Sequence, residues 1–173
     1  MGVGVGGLGC ASVLSLAAAG VDRLVLVDRD YVALSDLNRQ VPYRSADLGK
    51  CKVEAVSEAL KTFNPSIEVE ALDVEVHEDS APLASRVDLV VDGLDNYEAR
   101  FALNKACVEK RKPFIHAAVQ SLEEARDYSA GLDDHGIGAM QAAEVVKYAT
   151  GIGNVSVGGL LIVDLQNLDF FRV

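Results

Sequence analysis

Gly4-Val5-Gly6-Gly7-Leu8-Gly9 fits the pattern G-x-G-x-x-G. It joins the apolar segment Val3–Val5, with which it begins, to the small-residue segment Leu8–Ala19, with which it ends. We predict a strand that ends in the first segment and a helix over the second. Glycines at this spacing permit a tight turn, let the backbone approach a phosphate and bring the helix close to the strand. The N–H groups at the helix start favour an anion. A turn that serves packing alone is the alternative.

Outward from this turn, predicted strands and helices alternate along the chain. The further predicted strands are Leu24–Val27, Ile67–Val74, Val87–Val91 and Pro113–Ala118, and the further helices are Lys52–Phe63, Tyr97–Lys110 and Ala139–Ala149. Strands separated by helices predict a Rossmann-like α/β fold, in which helices flank both faces of a mostly parallel sheet. Leu160–Asp164 and Leu168–Val173 are joined by a link too short for a parallel crossover, so we expect an antiparallel C-terminal strand pair.

An acid follows the glycine turn at the spacing expected for nucleotide binding. Asp28 ends the second predicted strand, 19 residues after Gly9. A carboxylate there can hydrogen-bond a ribose hydroxyl. The turn and the acid together predict a nucleotide site, but they do not choose between NAD and ATP.

Three further elements favour ATP over NAD. Asp36-Leu37-Asn38-Arg39-Gln40 places an arginine and amide groups beyond the second strand. Lys52 opens the next helix, where its point charge can hold a triphosphate. Asp92-Gly93-Leu94-Asp95-Asn96 follows a buried strand at the sheet edge where open α/β sheets bind ligands, and an aspartate there can hold Mg²⁺. Taken singly, each has a simpler interpretation, as a solvated charge or as the cap of the following helix.

These motifs together resemble the MoeB/ThiF/HesA family of adenylating enzymes, which is similar to the ubiquitin-activating enzymes. The matching stretches are Gly4–Cys10, Leu26–Asp30, Leu37–Gln40, Gly49–Ala55 and Asp92–Asn96. The resemblance covers residues 2–120 and 138–172. It implies ATP-dependent adenylation of the C-terminal glycine of a ubiquitin-like or sulfur-carrier protein, with release of pyrophosphate. Two alternatives stay open: an NAD-binding or degenerate nucleotide-binding module, and a tRNA-modifying dehydratase that adenylates another carboxylate.

The resemblance also implies roles for individual residues. Those expected at the nucleotide are Gly4, Gly6, Gly7, Gly9, Asp28, Asp30, Asn38, Arg39, Lys52, Asp95 and Asn96. Arg39 and Lys52 would bind the phosphates and take part in catalysis, and Asp95 would bind Mg²⁺ and assist the attack. Asp36 stands where the family usually has Asn, so the resemblance assigns it no role.

Composition excludes several classes of protein. The chain has 173 residues, 50% of them hydrophobic, and a net charge of −10, which argues against a nucleic-acid backbone as partner. The longest apolar run, Cys10–Val21, is too short to span a bilayer, so we expect a cytoplasmic protein without a membrane partner. Cys10, Cys51 and Cys107 form no Cys-x-x-Cys pair, and no zinc is expected. The three histidines have no metal-ligand spacing, and His116 is expected to be packed or solvated.

We expect residues 1–173 to form a single ATP-binding adenylation domain. Compared with the family, segments are absent or shortened before residue 1 and around 121–138. Ser121–Gly138 has no clear hydrophobic period and resembles separate segments joined together. Either residues of a longer protein are missing from this sequence, or the protein is a shortened relative. The resemblance further implies a homodimer.

Overall fold

The structure, a computed structural model, describes residues 2–77, 81–119, 126–164 and 167–173, and the side chains of all of these except 81 and 126–132. Its elements in chain order are β1 (Gly2–Val3), α1 (Gly7–Ala18), β2 (Arg23–Asp28), α2 (Lys52–Phe63), β3 (Glu68–Asp73), α3 (Ala81–Ser85), β4 (Val90–Asp92), α4 (Tyr97–Glu109), β5 (Phe114–His116), α5 (Arg126–Thr150), β6 (Leu161–Asp164) and β7 (Asp169–Arg172). Two short 3-10 turns, Leu34–Asp36 and Ser45–Asp47, lie between β2 and α2.

The first five strands form one parallel sheet in the order β3-β2-β1-β4-β5. The chain therefore extends the sheet to one side of β1 and then crosses to the other side. In such sheets, ligands bind in the crevice beyond the carboxyl ends of the two strands at the reversal. Those strands are β1, which leads into the glycine turn, and β4, which ends at Asp92.

Helices cover both faces of the sheet, as predicted. Alternate residues of β2 separate the two cores: Leu24 and Leu26 pack with α1, α2 and α5, whereas Val25 and Val27 pack with α3 and α4. Side chains alternate between the faces of a strand, so a short apolar run serves both cores. The predicted Rossmann-like α/β fold is confirmed.

The predicted antiparallel strand pair is also confirmed. β6 and β7 form a separate two-stranded sheet, with Ile162 opposite Phe171 and Val163 opposite Phe170. Ile162, Phe170 and Phe171 are all exposed. This hairpin therefore presents apolar side chains to solvent.

The structure corrects the sequence-based elements at several places, of which the largest concern β1, the last helix and α3. β1 ends at Val3 and not at Val5, because Gly4 takes a positive φ of 77° that no extended strand has. The last helix begins at Arg126, well before the predicted start at Ala139. Residues 121–125 of the aperiodic segment lie outside the described residues. The short helix α3 was not predicted.

Helix α5 extends through a glycine-bearing stretch because it packs closely against α1. A Cβ added at Gly138 would lie 2.6 Å from the Cβ of Ala11 and 2.9 Å from the backbone N of Ser12. Tertiary contact thus stabilises helix where the local sequence has no apolar period. No helix in the described part of the chain is long and apolar enough to cross a membrane.

Candidate functional site

The glycine turn is held in a conformation that other residues could not adopt. Gly4 has a positive φ, and a Cβ on Gly9 would lie 1.7 Å from the Gly4 carbonyl oxygen. Gly93, which follows β4, approaches the same carbonyl, since its Cβ would lie 2.7 Å from it. By contrast, a Cβ on Gly6 would meet no described atom within 4 Å. The turn is therefore tightly packed where Gly4, Gly9 and Gly93 meet, and it is open at Gly6.

Asp28 joins the end of β2 to this turn. Its Oδ2 accepts a 2.7 Å hydrogen bond from the backbone N–H of Val5, and its Oδ1 accepts one of 2.9 Å from the N–H of Asp30. A carboxylate oxygen has room for a second donor, so both oxygens can still accept a hydrogen bond from a ligand hydroxyl. The predicted ribose-binding acid lies at the predicted phosphate turn.

Two buried side chains that sequence reasoning did not assign to the turn support it from inside. Tyr43 donates its hydroxyl to the carbonyl of Val5 at 2.6 Å, and the Cys10 thiol donates to the same oxygen at 3.0 Å. Burial raises the pKa of Cys10 to about 12 and also raises that of Tyr43. Burial likewise raises the pKa of Cys107 to about 11. Cys10 and Cys107 are thus protonated and buried, and neither is suited to be a nucleophile.

Lys52 is buried at the start of α2 between two acids. Its Nζ lies 3.4 Å from Asp30 Oδ2 and 3.6 Å from Asp36 Oδ2. Asp36 is itself buried, and it accepts hydrogen bonds from the Ala33 N–H at 2.9 Å and the Gln40 amide at 2.8 Å. The residue to which the resemblance assigned no role therefore anchors this loop and positions the lysine.

Arg39 lies beside the turn and is paired with an acid that the sequence did not indicate. Its Nε is 3.5 Å from Asp134 Oδ2, on α5. Its Nη1 donates to the Ser35 carbonyl at 3.3 Å and to the Asn38 side-chain oxygen at 3.1 Å. Asp134 also abuts Gly7, because a Cβ there would be 1.8 Å from Asp134 Oδ2. The loop arginine, the glycine turn and α5 thus meet at one place.

A buried polar cluster closes the carboxyl end of β4 and was missed by sequence reasoning. Asp92 is fully buried, and its Oδ2 pairs with Arg100 Nε at 2.9 Å and with His116 Nδ1 at 2.7 Å. Its Oδ1 accepts from the Leu94 N–H at 3.0 Å. His116 is exposed, with 39% of its side chain accessible, so it is a solvated side chain that hydrogen-bonds to Asp92. An aspartate that ends an apolar strand, followed by an arginine eight positions later, was the available signal.

Gln141 ties this cluster to the glycine-turn helix. Its amide donates to the carbonyls of Asp92 at 2.8 Å and Ile115 at 2.9 Å, and its Oε1 accepts from the Ser12 hydroxyl at 2.5 Å. One buried side chain on α5 thus connects the ends of β4 and β5 to α1.

Asp95 and Asn96 are adjacent in sequence but differ in structural role. Asn96 is the N-cap of α4, where its side-chain oxygen accepts from the Ala99 N–H at 2.8 Å. Asp95 precedes the cap and is exposed. The neighbouring Asp92 is occupied by Arg100 and His116, whereas the carboxylate of Asp95 is exposed.

A magnesium ion fits this edge only as part of a metal–nucleotide complex. Among the described residues, no group of three or more His, Cys, Asp or Glu side chains could hold a metal. Mg²⁺ in nucleotide sites is commonly bound by one or two carboxylates together with the substrate's phosphates. One exposed carboxylate at Asp95 is compatible with that kind of binding.

The fold brings most of the predicted residues to one place. Contacts connect Asp28 to the turn, Lys52 to Asp30, and Arg39 to the neighbourhood of Gly7 through Asp134. Asp95 and Asn96 lie at the end of the adjacent strand β4, and Gly93 links that end to the turn. The predicted nucleotide and metal roles remain proposals.

Known proteins are similar to this chain in sequence and in fold. The profile of the ThiF family matches residues 2–123. A molybdopterin-synthase adenylyltransferase of Haemophilus influenzae is 34% identical, over 94% of this chain and 79% of the relative. The solved structure of Escherichia coli MccB with ATP superimposes with a TM-score of 0.84 at 20% identity, over 99% of this chain and 61% of MccB. The structure of E. coli tRNA N6-threonylcarbamoyladenosine dehydratase has a TM-score of 0.63 at 26% identity, over 90% of this chain and 68% of the dehydratase.

The chain is shorter than these proteins. It spans about half the length of several curated relatives, which include adenylyltransferase–sulfurtransferases of mosquitoes and maize. The H. influenzae alignment extends over 191 residues, more than the 173 of this chain, so that relative has internal segments with no counterpart here.

Proposed function

This chain belongs to the ThiF family, and we propose that it binds ATP at the Gly4–Gly9 turn and adenylates the C-terminal glycine of a ubiquitin-like or sulfur-carrier protein. The observation that carries the proposal is the meeting of the turn, Asp28, Lys52 and Arg39 beyond the carboxyl ends of β1 and β2. Relatives that are 32% and 34% identical to this chain are named as a probable molybdopterin-synthase adenylyltransferase and a molybdopterin-synthase adenylyltransferase. Residues 1–173 act as a single adenylation domain.

In the proposed reaction, a carboxylate oxygen of the carrier attacks the α-phosphorus of ATP. An oxygen–phosphorus bond forms, the bond from the α-phosphorus to the bridging oxygen breaks, and pyrophosphate leaves. The step needs no protein nucleophile, so positioning and charge neutralisation supply the catalysis. This agrees with the buried, protonated Cys10 and Cys107.

Each residue then has a part in this step. The open side of the turn at Gly6 admits the phosphates, and Asp28 accepts from the ribose. Arg39 and Lys52 bind the phosphate oxygens, and Asp95 holds the Mg²⁺ that would neutralise the charge on the departing pyrophosphate. Asp30, Asn38 and Asn96 serve the site by orienting Lys52, Arg39 and the start of α4.

Asp95 provides the sharpest test, because it is exposed and its loss should not disturb the core. Asp95→Ala should reduce ATP–pyrophosphate exchange by roughly 10²-fold, measured with a carrier protein that ends in Gly-Gly. Asp88→Ala is the matched control, since Asp88 is an exposed acid at the opposite end of β4. Exchange that is unchanged in Asp95→Ala, with native circular dichroism, would refute the assignment.

Two other functions are tested by the choice of ligand. If the chain is an NAD-binding module, calorimetry should show tighter binding of NAD than of ATP with Mg²⁺. The likeness to a tRNA dehydratase makes adenylation of another carboxylate the second candidate. The net charge of −10 on the present chain disfavours a tRNA substrate. Exchange that depends on the terminal Gly-Gly of the carrier would favour the first proposal.

The protein functions as a homodimer in this proposal. Large apolar side chains are exposed on α4 and on the C-terminal hairpin, namely Tyr97, Phe101, Ile162, Phe170 and Phe171. Exposed apolar side chains on these two elements can be covered in a twofold interface. Light scattering at micromolar protein should give twice the 18.4 kDa chain mass, and a monomer mass would contradict this part.

A further inference from the structure

A carboxylate of the chain itself abuts the glycine turn at Gly7, next to the open position at Gly6. Asp134 Oδ2 lies in the volume that a Cβ on Gly7 would fill, 1.8 Å from the ideal position of that atom. Gly7 is the first residue of α1. An acidic group is thus pressed against the amino end of the helix on which the proposed phosphate site depends.

That helix end has no other anion from its own sequence. Gly6 is the N-cap and provides no side-chain hydrogen bond, and the first turn of α1 contains no acid. The N–H groups and the dipole at a helix start attract negative charge. Asp134, distant in sequence, brings a carboxylate next to this helix end.

The same carboxylate also holds the arginine proposed to bind phosphate. Arg39 Nε lies 3.5 Å from Asp134 Oδ2, and Asp134 is only 9% exposed. Arg39 and the start of α1 are the two partners that an ATP phosphate would need. Asp134 therefore contacts both of them at once, as a phosphate group would.

Few other charges face this carboxylate. Arg39 comes from the loop after β2, whereas Asp133 and His135 belong to the same helix, and α1 contains no charged residue. Burial raises the pKa of Asp134 even though Arg39 acts to lower it. The carboxylate is thus held at some energetic cost, which favours its exchange for a better anion.

We propose that Asp134 is an internal competitor for the phosphate subsite, occupying it in the nucleotide-free protein and leaving it when ATP binds. The inference rests on the proposed function, because it assumes that the phosphates bind at Gly7 and Arg39. ATP can bind only to the fraction of protein in which Asp134 has left the subsite. The apparent affinity for ATP is therefore the intrinsic affinity multiplied by that open fraction. The effect acts on the phosphates and not on the nucleoside.

The test compares wild type with Asp134→Asn by calorimetry, using ATP with Mg²⁺, ADP and adenosine as ligands. Asp134→Asn should bind ATP about tenfold more tightly, ADP less so, and adenosine within about twofold of wild type. Asp133→Asn changes the net charge equally at the neighbouring position and should alter ATP affinity by less than about twofold. Asp134→Ala should repeat the gain if the asparagine variant loses its native circular dichroism.

The outcomes separate this inference from the function on which it rests. ATP binding that is equal or weaker in both Asp134 variants overturns the inference but leaves an ATP-binding protein. An equal gain for adenosine and ATP also overturns it, because the effect would then not act on the phosphates. If neither wild type nor the variants bind ATP, the proposed function fails together with the inference.

Discussion

The Asp28 carboxylate accepts a 2.7 Å hydrogen bond from the backbone N–H of Val5, so the acid that ends β2 is attached to the turn that follows β1. The two residues are 23 positions apart in sequence, and the parallel pairing of β1 with β2 brings them together. The acid proposed to bind ribose and the turn proposed to bind phosphate are thereby fixed relative to each other before any ligand arrives. Such preorganisation lowers the cost of binding.

Asp28→Asn should weaken both the turn and nucleotide binding. One side-chain oxygen becomes an N–H donor that faces either Val5 N–H or Asp30 N–H, and a hydrogen bond is lost. We expect ATP affinity to fall by roughly tenfold and unfolding in urea to become easier by about 1 kcal/mol. Asp22→Asn, immediately before the same strand, is the control and should change ATP affinity little.

Gly9→Ala and Gly6→Ala should differ sharply although both lie in the turn. A Cβ at Gly9 would lie 1.7 Å from a backbone oxygen, whereas one at Gly6 meets no described atom within 4 Å. Gly9→Ala should therefore destabilise the protein by about 3 kcal/mol or more, measured by urea denaturation. Gly6→Ala should keep its stability within about 0.5 kcal/mol and lose ATP affinity. Equal stability of the two variants would disprove this account of the turn.

Lys52→Met should reduce stability and ATP binding together, since it leaves the buried carboxylate of Asp36 without its cation. Removing one partner of a buried ion pair costs about 3–5 kcal/mol. Adding Asp36→Asn removes the uncompensated charge and should restore much of the stability without restoring ATP affinity. Lys50→Met, at a more exposed lysine, is the control. Recovery of ATP binding in the double variant would show that Lys52 acts only through the fold.

The pH dependence of stability should report on Asp134. Burial raises its pKa in the folded protein above the ordinary carboxyl value. The folded state then binds more protons than the unfolded state between those two pKa values, so this group's contribution to stability falls as pH rises through that window and stays low above it. Asp134→Asn should consequently be more stable than wild type at pH 7.

The extra stability of Asp134→Asn over wild type should decrease as the pH is lowered towards about 4, which is the carboxyl pKa in the unfolded state. Thermal unfolding at pH 7 and pH 5 measures it, and a gain of about 1 kcal/mol corresponds to about 2–4 °C in Tm. A variant less stable than wild type at pH 7 would mean that the pair with Arg39 outweighs the cost of burial.

Much of the fold followed from local pattern. Lys52–Phe63 was predicted to the residue, because an amphipathic period and a terminating Asn64-Pro65 mark both ends. The prediction failed where tertiary packing overrides local preference, as in the first half of α5 against α1. At the site, the sequence indicated the turn and the acids at the strand ends. It did not indicate Tyr43 or Gln141, whose partners are distant backbone carbonyls.

The sequence by itself determined the order of strands and helices, the conformation demanded at the glycine turn and the family to which the chain belongs. These depend on periodicity, on the backbone freedom of single residues and on the spacing of motifs. Only the tertiary structure decided which polar side chains meet: Lys52 with Asp36, Arg39 with Asp134, and His116 with Asp92. Such pairs depend on the order of strands in the sheet and on how closely helices approach, and burial then decides how strongly each pair interacts.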